Sequence, residues 1–322
     1  MVTKILIIRF SSIGDIILTT PIIRCIKQQM PNTEIHFVCK ERFKEVIENN
    51  PNIDKLHLFK EGINELLPTL QKEKFTHVID LHNNLRSLRL KKVLNVKSYS
   101  FKKLNFQKII TVWFKKTSVL PPIHIVHRYL DTVRDLGVKD DGLGLDYYLP
   151  AIDKLQVFGK LNTEVFPNYI ALVAGGSYYT KRIPLEKLIE ICRNTQKQII
   201  VLGDVNDNKT AQQLAAQCPN VINACGKLNL HESAYIIKES ELVISSDTGL
   251  MHIAAAFGKK IYSFWGNTIP EFGMYPYKPG EGSKILEVKN LKCRPCSKLG
   301  YNKCPKGNFN CMMNQDISEL NL

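Results

Sequence analysis

The sequence predicts an α/β protein built as two doubly wound domains, and three observations carry that expectation. Apolar, strand-like runs alternate with helix-like stretches along the chain. Its 322 residues exceed what one hydrophobic core commonly serves. The chemically distinctive residues follow directly after the apolar runs, where such sheets present their ligand-binding loops.

The runs that read as strands are Lys4–Phe10, Glu34–Lys40, Thr76–His82, Tyr169–Gly176, Gln198–Asp204, Glu241–Asp247 and Lys260–Gly266. Several are apolar at both odd and even positions, as strands covered by helices on both faces should be. Between them lie the periodic segments Ile16–Gln29, Leu185–Thr195, Lys209–Gln217 and His231–Ser240. Strand–helix alternation implies parallel sheets with crossover helices. It pauses from about Leu149 to Pro167, where Pro150, a polar stretch and Pro167 mark an expected interdomain linker. The expected domains are therefore 1–155 and 165–322, facing each other across a cleft. There is no internal repeat and no low-complexity tract.

Composition excludes several classes. An apolar fraction of 44% and a charged fraction of 23% are those of an ordinary globular protein, not of a disordered or fibrous one. The first apolar run gives way at once to Ser11, Ser12, Gly14 and Asp15, a strand end rather than a signal-peptide cleavage region. No run approaches the roughly 18–20 apolar residues that cross a bilayer. The cytoplasm is the expected location.

The net charge of +14 calls for an anionic partner: nucleic acid, a membrane face or a phosphorylated substrate. The excess is concentrated in Arg86, Arg89, Lys91, Lys92, Lys97, Lys102, Lys103, Lys108, Lys115 and Lys116, a run without a single acid. A lysine run is most often a solvated helix face. Ten uncompensated positive charges favour a partner-facing surface. Nucleic acid is not the expected partner, because aromatics are not interleaved with these residues in a recognised binding motif.

Three constellations carry chemistry. In Arg9-Phe10-Ser11-Ser12-Ile13-Gly14-Asp15 a strand ends, small residues turn the chain, and a helix starts near Asp15. Asp15 reads either as that helix's cap or as an ionised carboxylate poised as a general base. The glycine spacing is not that of a dinucleotide fingerprint. The second, Gly175-Gly176-Ser177 through Lys181-Arg182-Ile183-Pro184, has a strand, glycines, a lysine and then a helix, an anion-binding order. The third, Ser245-Ser246-Asp247-Thr248-Gly249-Leu250-Met251-His252, ends a strand and opens a helix. There Asp247 and His252 read as a helix cap and its partner, or as ligand contacts.

Taken together these residues resemble a known family. Asp247–Gly266 (DTGLMHIAAAFGKKIYSFWG) followed by Asn267-Thr268-Ile269-Pro270, the opening RFSSIGDIILTTP, the DLHNNLRS of Asp80–Ser87 and Gly226-Lys227-Leu228 resemble the ADP-heptose heptosyltransferases, glycosyltransferase family 9. The resemblance runs from the first strand to about Met312. It implies a GT-B fold of two Rossmann-like domains and inverting, metal-independent sugar transfer, with no catalytic cofactor and an ADP-sugar as substrate. By motif it implies that Asp15 is the catalytic base. Ser177 and Lys181 would hold the donor phosphates, Asp207 the ribose, and Asp247, Thr248, Gly249 and His252 the sugar and diphosphate. Leu228 would line the adenine. Ser12, Gly14, Arg86 and Arg89 are the candidate acceptor contacts. The implied acceptor is an anionic, lipid-linked saccharide at the inner face of the inner membrane, with the enzyme peripheral to it. Two positions depart from the family pattern. Ile183 stands where Trp is frequent, and Tyr178 and Tyr179 stand where smaller or charged residues are frequent.

Nine cysteines in such a chain argue for reduced thiols or metal ligands rather than a disulfide framework. Cys293, Cys296, Cys304 and Cys311 form C-x2-C-x7-C-x6-C. The first pair has zinc-knuckle spacing, and four thiolates would close a structural zinc site. Packed or redox-labile thiols are the equal alternative. Two further functions compete with the transferase: a nucleotide-sugar epimerase of the same architecture, and a nucleic-acid-binding protein suggested by a pI near 9.3.

Overall fold

The computed structural model describes every residue except Met1 and Glu319. The chain forms two compact units, Met1–Lys103 with Ile123–Tyr148, and Leu104–Pro122 with Leu149–Leu322.

The first unit is a five-stranded parallel sheet of β1 (Thr3–Ile8), β2 (Thr33–Lys40), β3 (Lys55–Phe59), β4 (His77–Asp80) and β5 (Lys97–Ser100), in the order β3-β2-β1-β4-β5. Its central strand is the apolar opening run, and Ile5, Leu6, Ile7 and Ile8 are completely buried. Leu6, Ile8 and Phe10 pack with Val38, Phe59, Val78 and Leu90 into one face of the core. Helices α1 (Ile13–Ile17), α2 (Thr20–Gln29), α3 (Leu67–Lys72) and α4 (Leu85–Leu94) follow, then α5 (Asn105–Phe114) and α6 (Ile125–Leu130). The single helix expected over Ile16–Gln29 is two, because Leu18 and Thr19 interrupt it and Pro21 opens the second. Arg24 on α2 is buried and paired with Asp141 and Asp146, which ties the last segment of the unit to the sheet's flank.

The second unit carries α7 (Lys154–Gly159) and a six-stranded parallel sheet. Its strands are β6 (Ile170–Val173), β7 (Ile199–Leu202), β8 (Val221–Asn223), β9 (Leu242–Ser246), β10 (Lys260–Trp265) and β11 (Lys284–Glu287), ordered β11-β10-β9-β6-β7-β8. Helices α8 (Leu185–Arg193), α9 (Asn208–Ala215), α10 (Leu230–Glu239), α11 (Gly249–Ala256) and α12 (Asn310–Met313) complete it. Ile170, Leu172, Ile199, Val201, Ile244 and Phe264 meet Leu188 and Ile191 of α8 in its core, joined by Cys311, Met312 and Ile317.

The division differs from a cut between 155 and 165. The segment expected to be a linker holds α7, capped by Asp153 and tied by Lys160 to Glu232, so it is part of the second unit. Leu104–Pro122 also belongs there, although 1–155 was expected to be continuous. All seven predicted strands are present. The four that the sequence did not announce, β3, β5, β8 and β11, include both edges of both sheets.

Candidate functional site

In each sheet one pair of adjacent strands marks the point where the chain's winding reverses: β1 and β4 in the first unit, β6 and β9 in the second. Loops leaving the carboxyl ends of such a pair are where ligands bind in doubly wound folds. All three predicted constellations leave from these strands.

In the first unit, Asp15 is not the cap of α1 but its third residue, because the helix begins at Ile13 after Ser12. Its carboxylate accepts from the Ser12 hydroxyl at 2.7 Å and the Ser12 amide at 3.2 Å. The Arg9 guanidinium pairs with the other oxygen at 2.6 Å. Arg9 is itself fixed, donating to the carbonyls of Ser11 and Leu81. Burial pushes the Asp15 carboxyl up, but Arg9 and the two Ser12 donors outweigh it and hold it below the ordinary carboxylate value. Asp15 is therefore an ionised, oriented carboxylate with 22% of its side chain exposed. Gly14 is buried beneath it and Ser12 is exposed. Arg9 was not among the predicted site residues. The signal was available: a charged residue closing an apolar strand just before a small-residue turn.

The loop after β4 is shaped by Asp80, fully buried, which accepts from the amides of His82 and Asn83 and pairs with Lys91 at 2.9 Å. Asn84 caps α4 by accepting from the Ser87 amide. Arg86 and Arg89 then stand exposed on α4. Lys91 does not join them, because its ammonium turns inward to Asp80 and Ser100. The His82 ring lies against Phe10, and burial with Arg9 and Lys103 nearby lowers its pKa to about 4, so it is neutral.

In the second unit, buried Gly175 lies two residues past the end of β6, and Ser177 follows, exposed. Lys181 closes a short 3-10 turn four residues before α8 begins, and Pro184 is the N-cap of α8 rather than part of its first turn. The Lys181 ammonium meets the Asp247 carboxylate at 2.5 Å, with 17% and 12% of the two side chains exposed. Thr268 donates to the same carboxylate at 3.3 Å. Asp247 is thus not the cap of α11. Thr248 is, accepting from the Met251 amide, with Gly249 the first helical residue and His252 buried one turn in. Asp207 is also buried, accepting from the Asp204 amide at 3.0 Å and pairing with Arg182 at 3.3 Å. A β-carbon at Gly175 would stand 2.5 Å from the Asp207 carboxylate, so the glycine makes room for it. Leu228 is half-buried in the loop before α10. The sequence reading missed Thr268 and Arg182 as partners of these carboxylates.

The chain's last segment returns to this loop. The Thr180 amide donates to the Tyr301 carbonyl, and the Tyr301 amide donates to the Thr180 hydroxyl. Arg294, buried, donates to Gly266 and Thr268 and pairs with Glu287. Tyr178 fills the space above Gly300, and Tyr179 stacks on Phe309 at 5.2 Å. Cys293, Cys296, Cys304 and Cys311 are free thiols in this segment. Among the described residues, the group of metal-ligating atoms lying within 4.8 Å of one another is not the cysteines but His36, His57 and Glu73. Those three sit at the opposite end of the first sheet, where Lys4 and Lys55 already neutralise Glu73.

The model of glycosyltransferase family 9 (heptosyltransferase) matches residues 63–302, well over half of the chain. The chain belongs to that family. A lipopolysaccharide heptosyltransferase 1 from Campylobacter coli is 25% identical over 319 residues, spanning 89% of this chain and 92% of its own. A glycosyl transferase family 9 structure from Veillonella parvula superposes with a TM-score of 0.74 at 22% identity, covering 90% of this chain and 88% of that one. The Escherichia coli heptosyltransferase WaaC with ADP superposes at 0.65 and 18% identity, covering 88% and 92%. The family member described here is a glycosyltransferase of GT-B fold, with two Rossmann-like parallel-sheet units. The epimerase alternative gives way to it. Among its described residues no helix is long and apolar enough to cross a membrane.

Proposed function

We propose that this protein transfers a heptose or related sugar from an ADP-sugar to an anionic, lipid-linked saccharide acceptor of the lipopolysaccharide core type, with inversion and without a metal. The observation that carries the reading is the Asp15 carboxylate, held ionised at the end of β1 by Arg9 and Ser12. An ionised carboxylate within reach of an acceptor hydroxyl can take its proton as the oxygen attacks the anomeric carbon. The bond from that carbon to the β-phosphate oxygen then breaks, and ADP departs with the electron pair.

The second unit deals with the leaving group. The Lys181 ammonium, now held by Asp247, is the mobile positive charge for the diphosphate, and the amides opening α11 at Gly249 supply further donors. Ser177 lies exposed on the same loop as Lys181, where its hydroxyl can reach a phosphate oxygen. These groups supply the stabilisation that other transferases obtain from a cation, so transfer should persist in a chelator. Arg86 and Arg89, exposed on α4, suit an acceptor bearing phosphates or acidic sugars. An acceptor of that kind puts the enzyme at the inner face of the inner membrane, peripheral to it and in the cytoplasm.

A panel of nucleotide sugars, scored for ADP release with and without a lipid A-type acceptor, tests this reading. Acceptor-dependent release from an ADP-sugar, lost in Asp15→Asn, is the expected result. Acceptor-independent conversion of the donor, or undiminished transfer by Asp15→Asn, would overturn it.

A further inference from the structure

Helix α5 faces the wrong way for a helix of a water-soluble body. Three positions mark the side that packs. Thr111 is fully buried, Val112 joins a small cluster with Leu120, Ile269 and Phe272, and the Lys108 ammonium lies 5.1 Å from the centre of the Phe272 ring. Just past the helix, Lys115 donates to the Pro295 carbonyl on the same side. The packed side is thus its more polar one.

The opposite side is apolar and open. Phe106, Ile109 and Trp113 recur at the three- and four-residue spacing of one helical face, with Phe114 beside them. Phe106 and Phe114 are each 72% exposed and Trp113 is 74% exposed. Single exposed apolar side chains need no explanation, but a contiguous face of them marks an interaction surface. Basic residues frame it: Lys102 just before the helix and Lys116 just after it, both exposed. From Leu81 to Leu130 the chain has no acidic residue.

We propose that α5 lies in the headgroup region of an anionic bilayer with Phe106, Ile109, Trp113 and Phe114 inserted and with Lys102 and Lys116 on the lipid phosphates. Two features select a bilayer over other occupants. Aromatic rings flanked by lysines match the interfacial layer, where an apolar body and a charged rim are both satisfied. A second copy of this chain would bring two lysine-flanked helices without an acidic residue of their own together at close range, which is repulsive. The inference rests on the proposed lipid-linked acceptor only for its biological sense, because docking itself needs no sugar.

The test uses the full-length protein and vesicles of phosphatidylethanolamine with phosphatidylglycerol, free of saccharide acceptor and donor. Of the two tryptophans, Trp265 is 1% exposed, so a vesicle-induced change in emission reports Trp113. The expected result is a blue shift on anionic vesicles, quenching by lipids brominated on the acyl chain, and at least tenfold weaker binding to phosphatidylcholine or in high salt. The double variant F106D/F114D should lose at least tenfold in vesicle partition while keeping its melting transition and ADP affinity. The conservative Trp113→Phe should retain partition. An unshifted emission, equal partition of F106D/F114D, or burial of Trp113 by self-association without vesicles would overturn the proposal. Any of these would leave acceptor-dependent transfer untouched, and a failed transfer assay would leave vesicle docking untouched.

Discussion

Replacing Arg9 by Met should turn a flat acid limb into a titration. Asp15 has two opposing influences: burial, which favours its neutral form, and the contacts from Arg9 and Ser12, which favour the carboxylate. Arg9→Met removes the positive charge at 2.6 Å and leaves the burial. An opposite charge at such range typically lowers a carboxyl pKa by about 1–3 units. Its loss should therefore raise the Asp15 carboxyl, because burial is then opposed by the Ser12 contacts alone. A base must be unprotonated, so the sign follows: kcat/KM of the variant should begin to fall at a higher pH than that of the wild type as the solution is acidified. The wild type should hold its rate where the variant has begun to lose its own. The same change leaves a largely buried carboxylate and the carbonyls of Ser11 and Leu81 without their donor, at a cost of about 3–5 kcal/mol. The profile is therefore read at a temperature where calorimetry shows the variant folded. Asp15→Asn keeps the shape but cannot take a proton, and its rate should fall at least about 100-fold at every pH. A flat profile for Arg9→Met, with transfer surviving in Asp15→Asn, would refute the base assignment.

Lys181→Met should weaken ADP binding by about 1.5–3 kcal/mol, one charged hydrogen bond, and calorimetric titration would expose a wrong assignment by an unchanged affinity. Charge reversal at Arg86 and Arg89 should raise the acceptor's KM and reduce its salt dependence without altering ADP affinity, as kinetics at two salt concentrations will show. Lys91→Glu should act differently, lowering the melting temperature because it faces buried Asp80. Stability should fall as pH drops from about 6.5 to 4. His57 is held near 4, first by burial and then by His36, so below 6.5 the unfolded chain takes up a proton that the folded chain refuses. The cost approaches about 3 kcal/mol at pH 4, and denaturant titrations of His57→Gln should show a shallower slope. Gly175→Ala should destabilise the loop after β6, since its methyl would meet the Asp207 carboxylate, and a melting temperature equal to wild type would contradict that geometry.

What could be read in advance divides along physical lines. Strands covered on both faces must be apolar throughout, so β1, β2, β4, β6, β7, β9 and β10 declared themselves. β5 reads Lys-Ser-Tyr-Ser and is mostly exposed, because an edge strand needs little apolar surface. β8, with three residues, is too short to show a period. Asp15, Lys181, Asp207 and Asp247 were visible as chemistry at strand ends. Arg9, closing an apolar strand, could have been read with Asp15, but the pairing of Thr268 with Asp247 and of Arg182 with Asp207 crosses elements and leaves no spacing in one dimension. Asp247 was read as a helix cap or a ligand contact, and the structure gives the cap to Thr248 and a lysine partner to Asp247. The basic run was visible as a run, but only the fold shows that Lys91 is internal and that α5 turns its aromatic side outward.

The excursion of Leu104–Pro122 into the second unit bears on how this protein can be taken apart. A fragment ending at Tyr148 would carry α5, Val112 and Leu120 with nothing to rest on, while a fragment beginning at Leu149 would leave Ile269 and Phe272 bare. Each piece would be adhesive where the other had been. Chimeras that exchange the two halves of relatives at a single crossover near residue 149 would inherit mismatched pieces of this interlock. A graft that moves residues 104–122 together with the second half keeps it whole.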